Sequence, residues 1–157
     1  MKTNWEQVLE RLRAYPPQVH KMLPPCTEER IQAVQAQLGK MPDVVADMLR
    51  HFNGARLFIR TCPLVSLFGI STIPPRPILQ WAADWYIDKF TPAWRSSHHR
   101  SNDWVIGMTN YGCLIVLDQD GSVKYWDTSQ EIWDRNRWTF GEWLNELLRE
   151  GHLYLSE

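Results

Sequence analysis

Two carboxylates stand one residue apart in Asp118-Gln119-Asp120-Gly121, between the apolar run Cys113 to Leu117 and a second β-like stretch at residues 122–126. Carboxylates paired in this way suit general acid–base work if their surroundings separate their proton affinities. Asp-x-Asp-Gly is also how a calcium loop begins. Such a loop carries an acidic ligand at its twelfth position and lies between helices. The twelfth residue counted from Asp118 is Ser129, and the flanks have strand character. A turn whose aspartates hydrogen-bond their own backbone fits better.

The other reactive side chains are scattered. His98-His99 is the one cluster among five histidines, and neighbours on a chain point in different directions. Without a Cys, Asp or third His at ligand spacing, the pair reads as part of a solvated loop. A nucleophilic Cys113 would need an exposed, electropositive setting, yet it opens the most apolar strand and reads as a buried, inert thiol. Cys26, Cys62 and Cys113 are odd in number and widely spaced, which fits free thiols in a reducing cytoplasm. Gly-x-Ser-x-Gly, P-loop and Gly-x-Gly-x-x-Gly patterns are missing from the sequence. The expectation is a protein that is not an enzyme and uses neither metal nor cofactor.

The carboxylates then need another use. From residue 118 to 134, Asp118, Asp120, Asp127, Glu131 and Asp134 face one Lys124, a local balance of −4. The whole chain of 157 residues has a net charge of −1. Residues 1–60 hold nine Lys/Arg against six Asp/Glu, whereas residues 61–157 hold eight against twelve. Nothing in this balance points to nucleic acid or an anionic membrane. No apolar run approaches the ~20 residues that span a bilayer, and the N-terminus lacks the apolar core of a signal peptide. A cytoplasmic protein is expected. The candidate partner-binding residues are Asp118, Asp120, Asp127, Glu131, Trp133 and Asp134. The carboxylates would face a basic partner and Trp133 would supply an aromatic anchor. The plainer alternative is a solvated turn and loop that keep the protein soluble. Nine tryptophans suggest a core in which each indole N–H finds a partner, with an aromatic sugar platform as the alternative.

These residues need elements to position them. Thr3 with Glu6 forms a capping box ahead of Trp5, Val8, Leu9 and Leu12. Thr27 caps a helix with Ile31, Val34 and Leu38 on one face, closed by Gly39. Pro42 is placed in the first turn of a third helix, which Asn53-Gly54 stops. Leu57-Phe58-Ile59 and Leu64-Val65-Ser66-Leu67-Phe68 read as strands. A helix is expected over 78–90 with Trp81, Ala82, Trp85 and Ile87, and an exposed polar loop over 91–103. Cys113 to Leu117 is apolar on both faces, as a central covered strand would be. Thr139 and Glu142 box the start of a last helix carrying Phe140, Trp143, Leu144, Leu147 and Leu148, ending at Gly151. Together these predict a single α+β domain over residues 1–157, a mostly antiparallel sheet flanked by N-terminal, middle and C-terminal helices.

In order along the chain stand Leu38-Gly39 after a helix, a proline-started helix, and Phe52-Asn53-Gly54. Trp104-Val105-Ile106-Gly107, Tyr111-Gly112, an apolar strand into Asp118, Gly121-Ser122-Val123 and Tyr125-Trp126-Asp127 follow, and Phe140-Gly141-Glu142-Trp143-Leu144 comes last. Over roughly residues 25–150 this ordered set resembles the SUKH superfamily, which includes fungal cell-wall-synthesis regulators and many bacterial immunity proteins. The resemblance implies helices packed around an antiparallel sheet and no enzymatic activity. It also implies a bacterial immunity protein that neutralises a cognate toxin by stoichiometric binding, a basic nuclease being one fitting partner. A regulatory protein-interaction module of the same fold is the alternative, and a Trp-mediated carbohydrate-binding domain a third. The long middle segment 69–103, rich in Trp and Pro, departs from the pattern and is where partner-specific variation would lie.

Overall fold

The computed structural model describes residues 3–71 and 85–156. Helix α1 (Trp5–Arg13) buries Trp5, Val8, Leu9 and Leu12, the stripe expected of it. Its cap is Asn4 rather than Thr3. The Asn4 side chain accepts the Gln7 N–H at 3.2 Å while the Asn4 backbone stays extended. Thr27 caps α2 (Glu28–Leu38) as expected, and Gly39 closes it at φ 96°. In α3 (Asp43–His51) the proline sits one residue before the first turn. Pro42 has ψ 139°, and its carbonyl accepts the N–H groups of Val45 and Ala46.

Gly54 stands at φ 92°, and a Cβ there would come within 2.8 Å of the Gly69 nitrogen. The Asn53-Gly54 turn therefore both ends α3 and lets the chain at Gly69 approach closely. Asn53 is buried, and its amide pairs with the Ile70 backbone, donating to the carbonyl at 2.9 Å and accepting the N–H at 2.8 Å. Strands β1 (Lys21–Met22), β2 (Ala55–Ile59) and β3 (Pro63–Leu67) lead to Ser71. The Ser71 N–H donates to Asp88 Oδ1 at 2.9 Å, and Arg30 of α2 donates to the Ser71 carbonyl at 2.6 Å, pinning this point from both sides.

Helix α4 is Ile87–His98, so residues 87–90 are helical as expected, but the helix runs on through most of the loop expected over 91–103. Trp85 and Tyr86 precede it, and residues 78–84 lie outside the described residues. Its inner face, Ile87, Asp88, Thr91 and Trp94, is buried although two members are polar. Asp88 holds Ser71, and the Thr91 hydroxyl accepts the Val105 N–H at 3.1 Å. Each polar group is satisfied, so burying it carries little penalty.

Strands β4 (Trp104–Thr109), β5 (Cys113–Leu117), β6 (Ser122–Asp127) and β7 (Ile132–Thr139) complete one antiparallel sheet in the order β1-β2-β3-β4-β5-β6-β7. Every residue of β5 is buried, as its two apolar faces predicted. Helix α5 (Phe140–Ser156) begins with the expected box, since Thr139 and Glu142 each accept the other's backbone N–H. It runs past Gly151 because that glycine is a contact and not a cap. A Cβ there would lie 2.3 Å from the fully buried Phe58 ring. Alternation along β6 separates the two faces of the sheet. Tyr125 accepts the Trp143 indole N–H of α5 at 2.9 Å, whereas Trp126 packs against Trp94 of α4.

Candidate functional site

The Asp118 turn is built from the inside. Asp118 is only 5% exposed, and its Oδ1 accepts the N–H groups of Asp120 at 2.9 Å and Ser122 at 3.0 Å. Its Oδ2 lies 3.5 Å from Lys124 Nζ and 3.8 Å from Arg137 Nη2, and Arg137 also reaches Asp120 at 3.5 Å. Both carboxylates are thus consumed locally: one organises the turn, and two cations answer the pair. Their expected role facing a partner shrinks accordingly, and a calcium ion would have to displace these backbone donors. Among the described residues, no group of three or more His, Cys, Asp or Glu side chains could hold a metal.

Lys124 and Arg137 meet because their residues are register partners on β6 and β7. The register then shifts. Lys124 pairs with Arg137 and Trp126 with Trp133, so β7 carries three residues, 134–136, opposite Tyr125 alone. At the bulge Arg135 and Asn136 are exposed and Asp134 is half-buried, and Asp134 Oδ1 accepts the Arg135 N–H at 2.6 Å. Interruptions of this kind, together with charged side chains, keep an edge strand from pairing with another chain.

Trp133 does not stand free in the acidic segment. It packs edge-on against Trp126 at 5.2 Å and Trp94 at 5.6 Å, with Lys124 Nζ 4.4 Å and Arg100 5.3 Å from its ring centre. Trp94 stacks on His98 at 3.7 Å and donates its N–H to Asp103, which also pairs with Arg100. His98 is therefore part of an aromatic brace, and not of a solvated loop. Trp133 remains half-buried, one exposed wall of that brace.

Asp127 is likewise occupied. Its Oδ1 accepts the Ser129 hydroxyl at 2.8 Å and the N–H groups of Gln130 at 3.1 Å and Ser129 at 2.9 Å, and these bonds, the hydroxyl first, hold its carboxyl below the usual range. Of the six candidates, Glu131 lies exposed in the turn just before β7, and Asp134 lies half-buried on that strand. Glu131 sits at φ 56°, a left-handed turn residue that starts the last strand. Residues 91–103 hid the brace from sequence reasoning; Trp94 with Trp126-x(6)-Trp133 was its one signal. Cys113 is buried, and burial pushes its thiol up, away from nucleophilic reactivity.

The helices, the seven-stranded sheet and the turn chemistry over α2 to α5 are the features on which family comparison bears. Residues 25–146 match the SMI1 / KNR4 family (SUKH-1). The chain belongs to this family. No curated protein matches it. In this SUKH-1 domain the match begins just before α2 and ends within α5, so it covers six of the seven strands, the brace and the acidic edge, leaving α1 and β1 ahead of it. Among the described residues no helix is long and apolar enough to cross a membrane.

Proposed function

We propose that this SUKH-1 domain is a non-enzymatic binding protein of the immunity type, which neutralises a cognate bacterial toxin by occupying it in an equimolar complex. The observation that carries this is the outermost strand. Glu131, exposed in the turn that leads into β7, and Asp134, half-buried on the strand, place carboxylates at an edge whose bulge hinders pairing with another strand, so its side chains do the recognising. The aromatic brace behind it holds that edge still, which lowers the ordering cost of binding. A partner of opposite charge fits, and a nuclease toxin has such a surface because its substrate cleft must attract phosphates.

The gene beside this one supplies the test. Co-expression should rescue growth from its product, and calorimetry of the purified pair should give an equimolar complex whose association slows as salt rises. A complex with an endogenous protein, and no toxin encoded nearby, would replace the antidote by a regulatory module of the same fold.

A further inference from the structure

Three large hydrophobic side chains are exposed among the described residues: Tyr111 at 59%, Ile132 at 52% and Leu153 at 51%. Two of them share one end and one face of the sheet. Asp127 pairs with Cys113 on one side and Ile132 on the other, so Cys113 and Ile132 stand about 10 Å apart across strands spaced ~4.8 Å, with Tyr111 in the turn two residues ahead of Cys113. The Tyr111 ring rests 6.5 Å from that of Tyr125, on the α5 side. Thr128 ties the two turns together, donating both its N–H at 3.3 Å and its hydroxyl at 2.8 Å to the Gly112 carbonyl. The pair is held in water by a rigid frame, a state that isolated surface residues do not require.

The surroundings have an acidic excess, Glu131, Asp134 and Glu150 against Arg135 and Arg149. Partial desolvation by its neighbours comes first in pushing the Tyr111 phenol up to about 12, with Glu150 of α5 and Asp134 of β7 adding to it. Glu150 is itself held above the usual carboxylate range, by desolvation first and then by Glu146. Arg149, the nearest cation on α5, is engaged by Glu146, its Nε donating at 3.1 Å. An incoming cation would relieve this repulsion.

We propose that Tyr111 and Ile132, ringed by Glu131, Asp134 and Glu150, form the docking centre of the domain, and that it takes an apolar side chain flanked by lysines or arginines on a protein partner. Apolar anchors inside a charged rim are where interface energy concentrates. The proposal builds on the reading of the chain as a partner-binding domain and names the surface and chemistry that reading leaves open.

The probe is a pentapeptide with one tryptophan between two pairs of lysines, titrated into the isotope-labelled protein and followed by amide NMR. Shifts should centre on residues 111–112, 131–134 and 150, and should fade as salt is raised. A peptide with glutamate in place of lysine should give none. A Tyr111→Ala, Ile132→Thr double variant should weaken binding about tenfold with unchanged melting, since both side chains already face water. Shifts centred on the Asp118 turn or spread over the surface, or undiminished binding by the double variant, would overturn the docking centre. Peptide binding here without any toxin would sink the antidote and keep the surface; a toxin complex without it would do the reverse.

Discussion

Two glycines of α5 show how much depends on a single methyl group. At Gly151 an added Cβ would meet the Phe58 ring, which cannot withdraw because it is fully buried against His20 and Tyr15. Gly151→Ala should cost about 2 kcal/mol or more through overpacking, read as a lower denaturation midpoint. At Gly141 an added Cβ meets nothing within 4 Å, so Gly141→Ala should stabilise by about 0.5 kcal/mol in the same measurement. His20 gives a pH signature. Its Nδ1 accepts the Phe58 N–H at 3.1 Å, and burial pushes the ring down to about 4, below the ~6.5 of an unfolded chain. Between those values the unfolded state binds the extra proton. His20 therefore adds stability that is complete above pH ~6.5 and drains away toward pH 4. In His20→Asn the amide oxygen can still accept the Phe58 N–H without titrating. Denaturation at pH 7 and pH 4.5 should show the wild type losing at least ~1 kcal/mol more than this variant; equal losses would remove His20 from the acid response.

At the scale of elements, what was legible in the sequence was local. Thr27, Thr139 with Glu142, and Gly54 act within a few residues of themselves, and the chain there reads as it folds. β5 was legible because both its faces are apolar. α4 was not: Pro92 lies inside it, and its buried face includes Asp88 and Thr91, whose partners Ser71 and Val105 are distant in sequence. Nor was the fate of the acidic segment legible. Arg137 reaches Asp118 only because β6 and β7 are in one register above a bulge, and periodicity does not fix a bulge. A consequence can be measured. Arg137→Gln should cost under about 1 kcal/mol, because its pair with Asp120 is largely exposed and Lys124 still answers the buried Asp118. It should also leave Asp120 unanswered and so speed association with a basic partner at low salt. A slower association would mean that Arg137 itself touches the partner.

The whole molecule is a sheet with two unlike edges. β1 is a two-residue stub, and β7 is an eight-residue strand with Asp134 on it and Glu131 in the turn that leads into it. α4 and α5 cover opposite faces and leave the β7 edge and the turns beside it as the uncovered end of the sheet. The central claim is that recognition happens on this end. Amide hydrogen exchange tests it most directly, comparing the protein alone with its complex with the toxin that the proposed function expects. Exchange should slow on binding at residues 131–136 and 111–112, while α1 and the loop joining α2 to α3 stay unchanged. Slowing confined to α1, α2 and α3, with residues 131–136 exchanging as freely as before, would contradict the account.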